Sequence, residues 1–173
     1  VNEVLEAIFL HRYHPKPGDV IVELGASDGS ETMDLAEMVA PDGLVFAVEA
    51  ASHLCGNIIR RDHPNITTAI AFVDDGTHGV LLDQLTAHIP RIDLLKCNIE
   101  GSEAAVFPTS PVTLAKTSNV VVSCHDFVDV NTHDVVLAAL EEAGFTVTHH
   151  DNPLIINDGH QGRCISNYLY ASK

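Results

Sequence analysis

The residues from Asp19 to Gly29 (Asp-Val-Ile-Val-Glu-Leu-Gly-Ala-Ser-Asp-Gly) constrain this chain's fold more than any other stretch. Val20, Ile21 and Val22 form a β-branched run between Gly18 and Gly25, which suits a strand buried on both faces. Glu23 stands near its carboxyl end. Gly25 and Gly29 bracket a tight turn, and an apolar helical pattern begins at about Thr32. Strand, glycine turn and helix in that order bring a small polar ligand against bare backbone N–H groups. The spacing Gly-x-x-x-Gly is not the Gly-x-Gly-x-x-Gly of dinucleotide folds, so a nicotinamide cofactor fits poorly. A turn that serves only the fold is equally consistent with these residues.

Val4, Leu5, Ile8 and Phe9 recur at helical spacing, so Asn2 to His11 is expected to be helical, with Asn2 as its cap. His14-Pro15-Lys16-Pro17-Gly18 turns the chain into the first strand. Further helices are expected over Thr32–Val39, Ser52–Arg61, Val80–His88, Glu103–Phe107, Val112–Ser118 and His133–Ala143. Further strands are expected over Leu44–Val48, Ile66–Phe72, Ile92–Ile99, Asn119–Ser123, Phe145–His149 and Cys164–Ala171. Asp151 to Gly162 reads as a polar loop. Strands alternate with helices until the last two, so a mainly parallel sheet with right-handed crossovers and a final antiparallel pair follows.

The length of 173 residues suits one domain over 1–173, with 1–18 forming a leading helix and loop. No apolar run approaches the ~20 residues that span a bilayer. No signal peptide is visible at Val1, and a first residue other than Met is compatible with removal of a leader. Cys55, Cys97, Cys124 and Cys164 are widely spaced, which argues against a disulfide framework and fits a reducing, cytoplasmic compartment. The formal net charge of −15, with nine Lys and Arg, disfavours a nucleic-acid substrate or an anionic membrane surface.

Glu49 closes the second strand, where a carboxylate can accept both hydroxyls of a ribose. A carboxylate that merely starts the next helix is the alternative. Asp74-Asp75-Gly76 follows the third strand, where one carboxylate could accept an adenine amino group; an Asp-Gly turn is as consistent.

From about Pro17 to Phe127 the chain resembles the FkbM-type family of class I S-adenosylmethionine-dependent methyltransferases. The resemblance rests on Glu23-x-Gly25-x-x-x-Gly29, Glu49, Ala71-x-x-Asp74-x-Gly76, and Lys96-x-Asn98-x-Glu100-Gly101-x-Glu103. The family has Asp where this chain has Asn98, so an acceptor-only group has become a neutral amide that also donates. The resemblance implies a Rossmann-like, doubly wound, seven-stranded sheet with the last strand antiparallel. It also implies S-adenosylmethionine as cofactor, held by Glu23, Gly25, Ala26, Ser27, Gly29, Glu49, Ala50, Asp74 and Asn98. Methyl transfer to a hydroxyl of a small molecule or sugar is the implied reaction; a non-catalytic S-adenosylmethionine-binding partner subunit is the alternative, because Asn98 departs from the family pattern.

Ligands of open α/β sheets sit outside the carboxyl ends of the strands, where Glu23, Glu49, Asn98, Glu100, His125 and Asp126 all fall. Three roles stay open for the cluster Glu100, His125 and Asp126. His125 could be a general base. The three, with or without Asn98, could hold a divalent metal ion. They could instead fix loops by hydrogen bonding. Glu103 starts a helix and reads as a dipole-compensating residue, and Lys96 as the partner of a nearby carboxylate. His149, His150 and His160 read as surface residues. A small-molecule acceptor and a homodimer complete the expectations.

Overall fold

The structure, a computed structural model, describes residues 5–126, 131–149, 154–158 and 162–173. Eight strands run β1 Val20–Leu24, β2 Leu44–Glu49, β3 Ile66–Ile70, β4 Ile92–Cys97, β5 Thr117–Asp126, β6 Thr146–His149, β7 Leu154–Asp158 and β8 Gly162–Ser172. Six helices intervene: α1 Ser30–Val39, α2 Ser52–Arg60, α3 Leu82–Leu85, α4 Glu103–Val106, α5 Pro111–Ala115 and α6 Thr132–Glu142. The strand order is β3-β2-β1-β4-β5-β8-β6, with β7 paired to β8 off this path. β1 to β5 pair in parallel, and β8 is antiparallel to β5, β6 and β7. This is the doubly wound sheet that the sequence implies, with one strand more.

Strand alternation divides the core between the two faces of the sheet. Val22, Leu24, Phe46, Val48, Leu95, Cys97, Val120, Val122 and Cys124 pack on one face with Phe107, Leu114, Val136 and Leu140 from the later helices. Ile21, Val45, Leu94 and Val121 pack on the other with Leu35, Ala36 and Val39 of α1 and with Leu5, Phe9 and Leu10. Burying each such aliphatic side chain contributes roughly 1.5–3 kcal/mol. β1 is buried on both faces, which is why its sequence is an unbroken apolar run around Glu23.

Several expected elements are shorter or placed differently. The leading segment is a π-helical turn, Leu5–Phe9; the expected cap at Asn2 lies outside the described residues. β3 stops at Ile70 and β4 at Cys97, so the apolar residues Ala71, Phe72, Val73 and Ile99 leave the sheet and line a pocket instead. α3 keeps only Leu82–Leu85 of its expected span, and β5 begins at Thr117 and reaches Asp126. The expected polar loop from Asp151 holds β7, whose Ile155 and Ile156 pair with Ile165 and Cys164 of β8. His150, Asp151 and His160 lie outside the described residues. α6 is capped by Asn131, whose side chain accepts the Asp134 N–H.

Candidate functional site

The carboxyl ends of β1, β2 and β4 are laced together by backbone bonds. The N–H groups of Gly25 and Ala26 donate to the Val48 carbonyl at 3.0 and 3.1 Å, and the Asn98 N–H donates to Leu24 at 3.0 Å. Gly25 has φ +80°, and a Cβ there would stand 2.0 Å from the Asn98 carbonyl oxygen. Only glycine lets these two backbones approach so closely. Beside them opens a pocket of about 350 Å³, lined among others by Gly25, Ser27, Glu49, Ala50, Asn98 and Glu100. That volume lies within the range of small-molecule sites.

Glu49 spans the mouth of the glycine turn. One carboxylate oxygen accepts the Ser27 N–H and the other the Ala51 N–H, each at 2.8 Å. Each oxygen keeps a further lone pair, so the group is fixed in place and can still accept hydroxyl donors. Apolar walls come from Leu54, Ala71, Phe72 and Val73. Phe72 is half exposed.

Glu23 has a different place from the expected one. It is fully buried and absent from the pocket lining. Lys96 lies opposite it in the β1–β4 register, and the Lys96 ammonium meets Glu23 at 3.0 Å and Glu31 at 2.8 Å. Thr32 donates to the second Glu23 oxygen at 2.6 Å, and Phe9 lies under the ammonium with its ring centroid 4.5 Å away. Burial alone would lower the Lys96 pKa, but the two carboxylates outweigh it and raise the value. This ion cluster braces the glycine turn from beneath, because Glu23 precedes the turn and Glu31 follows it.

Asp74 is likewise turned away from the pocket. Its two oxygens receive the N–H groups of Gly76, His78 and Gly79, so it organises the 74–79 loop, and it is not among the pocket-lining residues. Ala26 is buried with Ala47 and Ile58, and Gly29 lies against Ile58 of α2; neither lines the pocket.

At the far side of the β4 tip, Glu100 lines the pocket in the left-handed region, at φ +54°. His125, almost fully buried at the end of β5, does not line the pocket. Its Nδ1 lies 2.8 Å from Oε1 of Glu103, which is wholly buried. Sequence reasoning missed this partnership and took Glu103 for a dipole-compensating residue; the two lie 22 residues apart, and only the packing of the α4 start against the β5 tip joins them. Asp126 uses one oxygen on the His133 N–H and the other on the Asn167 side chain, which makes it a brace between α6 and β8. Glu100, His125 and Asp126 therefore do not converge. Among the described residues no cluster of three or more His, Cys, Asp or Glu side chains could hold a metal ion.

Strand order, the antiparallel β8 and a pocket at the carboxyl ends of β1, β2 and β4 define the class I methyltransferase fold. No family model matches the chain. Among solved structures it is similar to precorrin-6y C5,15-methyltransferase from Geobacter metallireducens, with TM-score 0.68 and 16% identity over 100% of this chain and 90% of that one. Fibrillarin from Aeropyrum pernix, solved with natively bound S-adenosyl-L-methionine, gives TM-score 0.63 and 17% identity over 96% and 73%.

Among curated proteins the chain is 29% identical over 90 residues to the putative rRNA 2'-O-methyltransferase fibrillarin 3 of Arabidopsis thaliana, covering 52% of this chain and 30% of that protein. It is 37% identical over 65 residues to the rRNA 2'-O-methyltransferase fibrillarin of Rattus norvegicus, covering 38% and 20%. The match thus spans less than a third of these relatives' length. Both relatives are named as acting on rRNA, which runs against the expectations of a small-molecule acceptor and of an unlikely nucleic-acid partner and corrects them. The net-charge argument treats the chain as a whole. Reaching one ribose needs only a few local contacts.

Proposed function

We propose that this chain is an S-adenosylmethionine-dependent O-methyltransferase domain, and that its acceptor is a ribose hydroxyl of RNA. The observation that carries the cofactor half is Glu49, held by two backbone N–H groups at the mouth of a pocket whose floor is the Gly25–Asn98 contact. The fibrillarin relatives support the acceptor half. The finer FkbM-type pattern, Lys96, Glu100, Gly101 and Glu103, describes the same strand tip and does not specify an acceptor. Among the described residues Cys55, Cys97 and Cys124 are buried free thiols, which suits a reducing compartment.

In this reading Glu49 accepts the cofactor's ribose hydroxyls. Leu54, Ala71 and Phe72 enclose its adenine, and Gly25 and Ser27 line the part of the pocket left for its amino-acid end; the N–H groups of Gly25, Ala26 and Ser27, expected to be bare, are donated to Val48 and Glu49 instead. The bound cofactor supplies a methyl group on a sulfonium. Transfer is an in-line displacement, so alignment does most of the work. The β4 and β5 tips, carrying Asn98 and His125, adjoin in the sheet and border the acceptor side. In this reading His125, at the β5 tip beside the pocket, takes the hydroxyl proton.

Two measurements test the proposal. Calorimetry should detect S-adenosylmethionine and S-adenosylhomocysteine at micromolar to millimolar concentrations; no heat with folded protein would end the cofactor reading. Tritium from labelled cofactor should enter RNA and survive alkali as a resistant dinucleotide, because a methylated 2'-oxygen cannot attack its phosphate. Label recovered only in alkali-released mononucleotides would place the methyl on a base and refute the ribose acceptor.

A further inference from the structure

We propose that Glu103 is the positioning residue of this site: it sets the tautomer of His125 and ties that ring to the loop that forms the pocket wall. The inference rests on the methyl-transfer reading and adds to it the group that makes His125 a competent base.

Three N–H donors converge on this one carboxylate, which is 0% exposed. Oε1 lies 2.8 Å from His125 Nδ1 and accepts from the Ile99 amide at 3.0 Å, and Oε2 accepts from the Gly101 amide at 2.8 Å. An ionised carboxylate only accepts. The Nδ1 atom must therefore carry a proton, and in the neutral imidazole the lone pair is then on Nε2. A second contact fixes the backbone of the same residue: buried Thr132 donates its hydroxyl to the His125 carbonyl at 2.9 Å. Buried acid, imidazole and a second ring nitrogen with no hydrogen-bond partner among the described residues form the arrangement by which a carboxylate orients a base in hydrolases on unrelated folds.

The other two donors give Glu103 its second function. Ile99 and Gly101 flank Glu100, whose φ of +54° is costly for a residue with a Cβ. Asn98, Ile99, Glu100 and Ser102 all line the pocket. One buried group thus holds the strained wall of the cofactor pocket and aims the base. During transfer the acceptor oxygen forms the new O–C bond and the C–S electron pair returns to sulfur. The hydroxyl proton passes to Nε2 of His125, and Glu103 faces the resulting imidazolium at Nδ1.

Long-range nitrogen–proton NMR on the full chain with S-adenosylhomocysteine reads the tautomer directly. The expected result is Nδ1–H with an unprotonated Nε2; an Nε2–H tautomer overturns the proposal. Glu103→Gln should lower kcat with tritiated cofactor and total RNA by about 10²-fold or more. Its S-adenosylhomocysteine Kd should stay within about threefold of wild type, and Glu103→Asp should recover part of the rate. A Glu103→Gln protein that binds the cofactor product weakly but turns over normally would make Glu103 a loop brace alone and refute the inference. The wild-type NMR measurement decides the matter even if Glu103→Gln fails to fold. Absence of RNA methylation in wild type, with the Nδ1–H tautomer present, would count against the acceptor reading and leave this one standing.

Discussion

Replacing Lys96 by Met tests the ion cluster beneath the glycine turn. Lys96 and Glu23 are both fully buried, while the Glu31 side chain is 23% exposed. The substitution keeps most of the side-chain volume but, among the described residues, removes the one cation that meets Glu23 and leaves Thr32 as its remaining side-chain donor. Breaking a buried pair from one side costs about 3–5 kcal/mol, because the remaining charge is left without compensation. Glu31 reaches water and contributes less. Urea unfolding should show that loss, with Tm lowered by about 6–20 °C for a chain of this size. A second substitution sharpens the test. Lys96→Met with Glu23→Gln keeps an acceptor for Thr32 and removes the stranded charge, so it should be more stable than Lys96→Met alone by about 1–3 kcal/mol. A Lys96→Met loss under about 1 kcal/mol, or no recovery in the double variant, would refute the view that this cluster is mutually compensated.

Gly25→Ala places a Cβ 2.0 Å from a backbone carbonyl at a φ of +80°, so it should cost at least about 2 kcal/mol and abolish S-adenosylhomocysteine binding by calorimetry. Alkaline pH should destabilise the fold. Burial first, and Tyr168 second, push the Tyr170 hydroxyl up to about 12, and burial and the Asp19 hydrogen bond raise Tyr13 further. The unfolded phenols ionise first, so these groups contribute stability in full below about pH 10 and lose it as pH rises towards 12; urea midpoints followed by tyrosinate absorbance should fall across that window, and less steeply in Tyr170→Phe. RNA binding by this segment should depend weakly on salt. Of nine Lys and Arg, Lys96, Arg91, Lys116 and Lys173 are held by the fold, leaving at most five for phosphates, so the slope of log K against log salt should be no steeper than about −3.5 for single-stranded RNA.

The glycine turn was legible because its signals are local: a β-branched run, two glycines at a fixed spacing and a helix after them all lie within twenty residues. The parallel sheet followed from alternation alone. What escaped detection depends on register. Lys96 could be assigned a carboxylate partner in general terms, but Glu23 lies 73 residues away and becomes its neighbour only when β1 pairs with β4. Glu103 looks like a helix-start acid in the chain and becomes the partner of His125 only through the packing of the β5 tip. β7 was hidden by its polar flanks, which outvoted Leu154-Ile155-Ile156. The ends of β3 and β4 were overrun because pocket walls are apolar too, so Phe72 and Ile99 read as strand residues.

The two buried acids divide the site between them. Glu23 works through Lys96 and Glu31 on the α1 side and fixes the turn that faces the cofactor. Glu103 works through His125 and the amides of Ile99 and Gly101 and fixes the wall and the base on the acceptor side. Among the described residues the clusters share no hydrogen-bonding partner, although β4 leads directly from Lys96 to the loop that Glu103 holds. Groups without a shared partner contribute nearly additively. Loosening the first should therefore weaken cofactor binding with little effect on the tautomer of His125, and altering the second should do the reverse. A fold that evolves its acceptor site can change the β5 tip and the α4 loop without disturbing the donor pocket. Such separability suits a fold whose functions reside in sites grafted on a common sheet.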